Sequence, residues 1–397
     1  MKKRILALLL ALTLILGLAS CATSQTNDAA SDYPEVKIGV LVYSLSDEEV
    51  ISFREYLESY IADVFTGVSF EYSDGITDET AQLETINQFA SDGVNGILSF
   101  NSMDLKAEVE AAAAKGMYYM IASGNVSDEE FASVEDNPYF LGTAGATLEE
   151  EYQAGYAMGQ YMYENRNGDS YFVLSGGATL GNDMHYERTA GILEALQNCY
   201  GVWFDEDIPA LIRGGQIEHL SDGALTCCVC PGYLDYDEFL DAAVAEFQKD
   251  AYKNVCASLT IGEFANEITD DVQLGMVDCY STRTLQLFND GKLDYIAGKY
   301  SSVIGPAFAL MYNACTGYAD EFRQDGKAIH LSQSYWLSDN LNDFVDKYTL
   351  ATSLEMNAYN YEDLGQVCKV YNESATLNDL MQLANANTFE AAQARRS

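Results

Sequence analysis

The chain has 397 residues, and 61 acidic side chains against 21 basic ones give it a formal net charge of −40 at pH 7. This length can supply two ordinary domains, and the hydrophobic content of 48% excludes a disordered acidic chain. The charge excludes nucleic acid as a partner and disfavours general adhesion to anionic lipid, because both interactions need clustered Lys and Arg.

The first residues have the composition of an export signal. The basic residues Lys2, Lys3 and Arg4 precede an apolar run over residues 5–18. That run is shorter than the roughly 20 residues needed to span a bilayer, and a short apolar run behind a basic start is typical of secretory signal peptides. We therefore predict a signal peptide over residues 1–20.

The apolar run closes with Leu18-Ala19-Ser20-Cys21, which resembles a bacterial lipobox. The resemblance implies that Cys21 is lipidated and anchors an extracytoplasmic protein to the outer face of the cell membrane. An ordinary signal peptide cleaved near Ala22 is the alternative. Residues 21–35 are mostly small and polar, and they predict a flexible tether.

The remaining cysteines do not have the spacing of a disulfide scaffold, and most lie in apolar runs, where a free thiol acts as a small hydrophobic group. Their one cluster is Cys227-Cys228-Val229-Cys230. It lacks a second ligand pair at zinc-site spacing, and His219 is the only imidazole near it in the sequence. We predict a buried strand here, with no metal and no cofactor.

From Val36 onward, short apolar runs alternate with helical patterns. The first block has predicted strands at 36–43, 68–72, 96–100, 117–122 and 139–142, with helices at 48–65 and 106–115 and a further helix marked by Leu83, Ile86 and Phe89. The second block begins with a helical stripe from Leu148 to Met162. Its predicted strands are 171–174, 225–230, 255–260, 272–277 and 295–298, with helices at 186–198 and 284–289 and around Phe239. This repetition predicts an α/β fold of two doubly wound parallel-sheet units.

Several short motifs follow one another in a fixed order. They are Lys37-Ile38-Gly39-Val40, Gln82 and Ile86 before Gly93-Val94-Asn95-Gly96-Ile97, Ala114-Lys115-Gly116, Gly155, Arg188-Thr189-Ala190-Gly191-Ile192, Gly275-Met276-Val277-Asp278 and Asp290-Gly291-Lys292-Leu293. Their order and spacing resemble the sugar-binding type I periplasmic-binding-protein family, whose best-known members bind ribose, galactose and related ligands for ABC importers. The resemblance covers about residues 36–338.

The resemblance implies two α/β lobes joined by three hinge crossovers, which we place near residues 142–146, 300–305 and 332–338. The N-terminal lobe would comprise 36–143 plus 301–333, and the C-terminal lobe 144–300 plus 334–345. A helix over 306–316 would return to the first lobe. Residues 346–397 exceed the usual length of the family and predict a C-terminal helical extension on the surface.

Polar residues follow the predicted strands where a ligand would be expected. Ligands of open α/β sheets bind beyond the carboxyl ends of the strands, and two facing lobes bring both sets of ends to one cleft that closes by hinge motion. The predicted ligand-binding residues are Tyr43, Asp47, Asn101, Ser123 and Asn125 in the first lobe and Arg188, Thr260, Asp278 and Tyr300 in the second.

Arg188 is the strongest of these predictions, because it stands at the R-x-x-G position whose arginine contacts sugar hydroxyls in the family. An ion pair on the surface is the alternative. Asp278 would accept hydrogen bonds from ligand hydroxyls, or would cap the following helix. Trp203 and Trp336 could stack on a ligand ring, although packing is the better interpretation.

Three departures from the family pattern leave the ligand open. Ser123-Gly124 replaces an Asp-Arg pair, Leu259-Thr260 replaces an Asn-Asp pair, and Glu48-Glu49 replaces an aromatic pair. Much of the set that clamps hexoses or pentoses is therefore missing. A nucleoside, a small signal molecule or a modified sugar would fit as well as an ordinary sugar.

The sequence predicts a binding protein rather than an enzyme. His185, His219 and His330 lie in no recognisable triad, and the nucleophile-elbow and Walker motifs are absent. The predicted function is that of a monomeric, lipid-anchored, extracytoplasmic protein that captures a small polar, sugar-like ligand and delivers it to the permease of an ABC importer. A ligand sensor for a membrane kinase or chemoreceptor, and a surface adhesion or scaffold protein with a degenerate pocket, remain as alternatives.

Overall fold

A computed structural model describes residues 33–76, 78–100, 102–177, 182–232 and 236–396. The predicted signal peptide, Cys21, most of the predicted tether, and Asn101 lie outside the described residues. In the described part of the chain, no helix is both long and apolar enough to cross a membrane.

Six parallel strands form the first sheet, in the order β12-β5-β4-β3-β1-β2. They are β1 (Val36–Leu41), β2 (Val68–Tyr72), β3 (Gly96–Ser99), β4 (Tyr118–Ile121), β5 (Phe140–Gly145) and β12 (Ile329–Ser332). Every residue of β3 and β5 is buried, which is the pattern of a parallel strand covered on both faces.

Helices cover both faces of the first sheet. They are α1 (Glu48–Tyr56), which continues through a π-helical turn at Leu57–Ile61, α2 (Glu79–Ser91), α3 (Leu105–Ala113), α4 (Asp128–Val134) and α10 (Gly305–Asn313). Side-chain caps from aspartate and serine start four of them, because these residues satisfy the free N–H groups of a first turn. Two separate hydrophobic clusters fill the two faces.

The second sheet has seven strands in the order β13-β11-β10-β9-β6-β8-β7. They are β6 (Ser170–Ser175), β7 (Glu218–Asp222), β8 (Leu225–Pro231), β9 (Asn254–Ala257), β10 (Gln273–Cys279), β11 (Tyr295–Lys299) and β13 (Trp336–Ser338). The five central strands are parallel, whereas β7 and β13 pair antiparallel at the two edges. The sequence prediction of an all-parallel sheet missed β7, because its side chains are mostly polar and exposed.

The helices of the second sheet are α5 (Leu148–Glu164), α6 (Asp183–Tyr200), α7 (Ile208–Arg213), α8 (Tyr236–Phe247) and α9 (Thr282–Asn289). The longest two, α5 and α6, pack against each other over much of their length. One hydrophobic cluster lies on their side of the sheet, and the other face belongs to a cluster shared with the first sheet.

The chain passes between the sheets three times, between β5 and β6, between β11 and β12, and between β12 and β13. This confirms the predicted fold class of two doubly wound sheets joined by three crossovers. The first crossing begins after Gly145, inside the predicted crossover range of 142–146 but two residues beyond the predicted lobe boundary at 143, because Thr143 to Gly145 still pair with β12.

The last four helices form the C-terminal segment (residues 341–396). They are α11 (Leu341–Thr352), α12 (Tyr361–Val367), α13 (Leu377–Asn385) and α14 (Phe389–Arg396). Helix α11 packs on α9 beside the second sheet, whereas α12 and α13 pack on α10 beside the first. The expectation that residues 346–397 only lie on the surface is wrong, since Tyr359 and Leu380 are fully buried in the core. The amphipathic helices of the C-terminal segment supply a layer that spans both halves of the fold.

Candidate functional site

Each sheet has a topological switch point where strand order reverses. In the first sheet β1 lies between β2 and β3, and in the second β6 lies between β8 and β9. Loops that leave these strands at their carboxyl ends diverge to opposite faces, which opens a crevice for a ligand. The predicted site residues follow strands of these two crevices or the strands beside them.

The carboxyl ends of the two sheets contact each other through one cluster of polar side chains. Lys299, at the end of β11, places Nζ 3.0 Å from Oε1 of Glu49 at the start of α1. The same ammonium donates to Oγ of Ser123, after β4, at 2.9 Å. Both members of the ion pair are largely buried, with side-chain exposures of 13% and 21%. The cleft is defined here as the space between these strand ends, and this cluster crosses it.

Arg188 lies in α6 and forms a buried ion pair with Glu151 of α5. Its Nε donates to Oε2 at 2.6 Å and its Nη2 donates to Oε1 at 3.1 Å, a bidentate arrangement. Two glycines permit the close approach of α5 and α6 that brings Arg188 to Glu151. A Cβ on Gly155 would overlap the carbonyl oxygen of Arg188, and a Cβ on Gly191 would overlap that of Tyr152. The R-x-x-G motif therefore serves close helix packing as well as the placement of the guanidinium.

The other hydrogen bonds of the Arg188 guanidinium are also made to groups of this chain. Nη1 donates to the carbonyl oxygen of Ser258 at 3.0 Å, and Nη2 donates to the hydroxyl of Tyr335 at 2.6 Å. Tyr335 in turn donates to Glu151. Burial disfavours the charged guanidinium, yet Glu151 keeps the pKa of Arg188 above its ordinary value. The ion pair that was the alternative interpretation is thus present, but in the interior rather than on the surface.

Asp278 lies in β10 and is buried, with 4% of its surface exposed. Its Oδ1 accepts from the hydroxyl of Thr260 at 2.9 Å and from the amide of Cys279 at 2.7 Å. Desolvation by burial raises the pKa of Asp278 to about 7, although both hydrogen bonds favour the ionised form. Ser281, not Asp278, caps the following helix. The capping alternative is therefore excluded.

Tyr43 and Asp47 lie opposite Asp278, in the loop after β1. Tyr43 is 41% exposed, and the nearby carboxylate of Asp47 helps to raise the pKa of its hydroxyl, after the larger effect of burial. Asp47 also caps α1, accepting from the amides of Glu49 and Val50. Burial and then the neighbouring Glu49 raise the pKa of Asp47, and Asp47 in turn raises the pKa of Asp278. Carboxylates from both sheets thus face the same space.

Ser123 and Asn125 follow β4 at the same edge. Ser123 contacts Lys299 and also donates to Glu49 at 3.3 Å. Asn125 is half-buried, and its Oδ1 accepts from Thr143 at 3.0 Å. A cavity of about 10 Å³ lies beside Ser123, Lys299 and Tyr335, which is room for a single water molecule.

Tyr300 is misassigned by the sequence prediction. It is fully buried, stacks on Trp336 with ring centroids 4.0 Å apart, and points its hydroxyl at the carbonyl oxygen of Asn387. A side chain with no exposed surface offers nothing to a ligand. Trp336 packs in the same stack, and Trp203 is 65% exposed on the surface, so packing or surface placement explains both tryptophans.

Three residues of the cleft are not among the ligand-binding residues predicted from the sequence. Glu49 and Lys299 are the ion pair across it, and His185 lies on α6 one turn before Arg188. Nδ1 of His185 donates to the carbonyl oxygen of Ser258 at 2.9 Å, and burial lowers the pKa of this histidine to about 3, so the ring is neutral. The i, i+3 spacing of His185 and Arg188 was the available signal, since it puts both on one helix face.

The comparisons with solved structures agree on the fold. The periplasmic binding protein component of the arabinose ABC transporter from Shewanella sp. ANA-3, bound to α- and β-L-arabinofuranose, superposes with a TM-score of 0.57 at 15% identity, covering 81% of this chain and 98% of that one. A Mycobacterium smegmatis protein in complex with β-D-fucofuranose gives 0.58 at 16%, covering 81% and 98%. The chain has the type I periplasmic-binding-protein fold. No protein-family model and no curated protein matches the sequence.

A third structure with the type I fold is an ABC transporter solute-binding protein from Bacillus halodurans C-125 with bound myo-inositol. Its TM-score is 0.57 at 17% identity, covering 80% of this chain and 99% of that one. The resemblance inferred from short motifs is thus confirmed at the level of the fold. In such a fold the polar groups of the cleft can hold a ligand by hydrogen bonds from both sheets.

Proposed function

We propose that the protein is an extracytoplasmic solute-binding protein, not an enzyme, which holds a small polar, sugar-like ligand in the cleft. The observation that carries the proposal is that hydrogen-bonding groups of both sheets face one another at the strand ends. Asp278 and Thr260 come from the second sheet, and Asp47 and Ser123 come from the first. Hydroxyl groups of a polyol can donate to carboxylates and accept from hydroxyls at the same time.

The neighbouring structures support this choice of ligand class. Their own ligands are two furanose sugars and an inositol, all compact rings or polyols rich in hydroxyl groups. Among the described residues, the two basic side chains of the cleft are already paired, Arg188 with Glu151 and Lys299 with Glu49. Asp47 and the partly ionised Asp278 are therefore the acidic groups of the cleft without a basic ion-pair partner among the described residues, which favours ligands that donate hydrogen bonds and disfavours anions.

The proposed mechanism of capture is hinge closure. We propose two lobes with the boundaries predicted from the sequence, except that the first extends to Gly145 at the end of β5, and these lobes part and close about the three crossovers. Opening must break the contact of Lys299 with Glu49 and Ser123, and a ligand that bonds to both lobes stabilises the closed state. Arg188 would hold the cleft wall at Ser258 and Tyr335, and Asn125 and Tyr43 would contribute hydrogen bonds.

We further propose that lipidated Cys21 anchors a monomeric protein outside the cell and that the ligand passes to the permease of an ABC importer. The lipobox-like end of the apolar leader supports the anchor. The ABC transporter origin of the neighbours supports the permease as partner.

A thermal-shift screen of sugars, polyols and nucleosides against the full chain tests the proposal. A ligand that binds only the folded state raises the melting temperature. The hit should lose its effect in Asp278→Asn and keep it in Asp294→Asn. Asp294 is a matched control, since it accepts from the amide of Leu274 at the amino end of the same strands. The absence of any hit, or a shift that survives Asp278→Asn, would overturn the proposal.

A further inference from the structure

A second cluster of chemically active side chains lies at the far edge of the second sheet. His219 of β7 and Cys228 of β8 are directly opposed in the antiparallel pair. Glu246 of α8 packs over them, and its Oε1 is 3.0 Å from Nε2 of the histidine. One ligand atom from each of the three residues lies within 4.8 Å of the others.

We propose that His219, Cys228 and Glu246 form a binding site for a divalent zinc-like metal ion, separate from the cleft. Thiolate, imidazole and carboxylate are the three ligand types that zinc uses in proteins, whereas calcium and magnesium require oxygen ligands. The residues come from two strands and a helix that are fixed by the fold, so little chain entropy opposes binding.

The spacing of the ligand atoms fits tetrahedral coordination of the ion. Zinc bonds of about 2.0 to 2.3 Å place the ligand atoms about 3.3 to 3.8 Å apart. The imidazole and carboxylate atoms are already at 3.0 Å, and the sulfur lies inside 4.8 Å of both, so modest side-chain rotation closes the triad. The histidine side chain is 53% exposed, which leaves a fourth position open to water.

Lys249 orients the carboxylate rather than blocking it. Its Nζ donates to Oε2 of Glu246 at 2.6 Å, which leaves Oε1 turned toward His219. Hydrogen bonds of this kind to the free oxygen of a ligating carboxylate are usual around metal sites. On binding, the ion replaces the hydrogen bond between His219 and Glu246, and Cys228 gives up its thiol proton to solvent. The ion would then fasten the edge strand β7 to α8.

The sequence pattern could not indicate this triad. The cluster of three cysteines drew attention to a metal site made of thiols, but alternate residues of a strand face opposite sides. Cys227 belongs to the hydrophobic cluster on the α5 and α6 side, whereas Cys228 belongs to the other face. The third ligand, Glu246, is separated in sequence and reaches the site only through the packing of α8.

Zinc titration of the reduced full chain, with a competing chelator, measures the stoichiometry and the dissociation constant of the site. We expect one ion per chain with a dissociation constant of micromolar or tighter. We also expect a rise in melting temperature on zinc addition, and a thiolate charge-transfer band on cobalt substitution. His219→Ala and Glu246→Gln should each weaken binding at least about tenfold. His219 is exposed enough for its substitution to leave folding intact.

Cys227→Ala is the matched control, because it removes a neighbouring buried thiol that faces away from the triad. It should bind zinc as the unaltered chain does, while Cys228→Ala should lose the cobalt band. The proposal is overturned if no stoichiometric ion binds, if His219→Ala binds as tightly as the unaltered chain, or if Cys227→Ala abolishes the band. The ligand-induced melting shift of the cleft should persist in His219→Ala.

Discussion

At the scale of single residues, Asp278 carries the strongest electrostatic constraint of the cleft. Its carboxylate is buried between strands, and no basic side chain of the described residues forms an ion pair with it. Because burial raises its pKa to about 7, the folded chain holds this proton over a range in which the unfolded chain has released it. The free protein is therefore destabilised by this group as pH rises.

Asp278→Asn should remove that dependence, since the amide oxygen can still accept from Cys279 and Thr260. The carboxyl has a pKa near 3.8 in the unfolded chain and about 7 in the folded chain. Between these two pH values the folded chain binds more protons than the unfolded chain, so the free energy of unfolding of the unaltered protein falls as pH rises. We expect the free energy of unfolding of the variant, relative to the unaltered chain, to increase by about 2 to 3 kcal/mol from about pH 5 to about pH 8. Urea unfolding at both pH values measures it. A constant difference would show that the carboxylate is solvated.

Arg188 and Glu151 illustrate the opposite case, a buried pair in which each charge is compensated. Removing one partner leaves the other buried and unpaired, so Arg188→Met should cost about 3 to 5 kcal/mol of unfolding free energy. The double variant Arg188→Met with Glu151→Leu should recover most of the loss, because hydrophobic side chains of similar volume replace both charges. Urea unfolding of the two single variants and the double variant gives the coupling energy. Additive losses would contradict the buried ion pair.

At the scale of secondary-structure elements, the C-terminal segment joins the crossovers to the rest of the fold. The carbonyl oxygen of Asn387 accepts from the indole of Trp336 at 2.7 Å and from the hydroxyl of Tyr300 at 3.4 Å. Its side chain bonds to Ser334 and to the carbonyl oxygen of Ser332. One residue of the segment thus contacts the second and the third crossover.

Asn387→Ala should loosen this junction. Loss of the two side-chain bonds, to Ser334 and Ser332, should speed amide hydrogen exchange in residues 332–338 of the third crossover, because local opening becomes less costly. Exchange in residues 300–304 should change little, because the bond from Tyr300 goes to the backbone carbonyl of residue 387. Asn385→Ala is the control, since Asn385 is exposed at the end of α13. Hydrogen exchange followed by mass spectrometry separates the two variants. Equal exchange in both would mean that the C-terminal segment does not restrain the crossovers.

The elements differ in how far the sequence could predict them. Buried parallel strands such as β1 and β10 are nearly continuous apolar runs, so they were found close to their true bounds. The edge strand β7 is polar, and it is held by its pairing with β8. A local sequence pattern cannot predict that pairing. The amphipathic helices of the C-terminal segment were recognised as helices, but their amphipathicity did not identify their packing partners.

The candidate site was predictable in position and only partly in detail. The structure has Ser123, Thr260 and Asp278 at the strand ends that face the cleft, because parallel strands present their carboxyl ends together. Their role in ligand binding stays a prediction. The prediction that Tyr300 binds a ligand is wrong, because the residue after a strand can point into the core as readily as into the cleft. The partners of Arg188 and Lys299 come from other elements, so only the tertiary structure reveals that both cations are paired.

At the scale of the whole molecule, one parallel sheet and one sheet with a parallel centre and antiparallel edges meet at the carboxyl ends of their parallel strands and share one helical layer. The polar cluster of Lys299, Glu49 and Ser123 connects the sheets on the cleft side, and the C-terminal segment connects them beside the crossovers. The charge of −40 fits this account as a solvated acidic surface that repels anions, including nucleic acid. Within that surface, the cleft presents carboxylates and hydroxyls, which are the groups that the proposed neutral polar ligand would meet.

The most direct test of the central claim is a crystal structure of the full chain with the tightest ligand from the thermal-shift screen. We predict that the ligand lies in the cleft, accepts or donates hydrogen bonds with Asp278 of the second sheet, and bonds to at least one of Ser123, Asn125 or Asp47 of the first. A ligand bound elsewhere, or one that contacts the side chains of a single sheet only, would contradict the account.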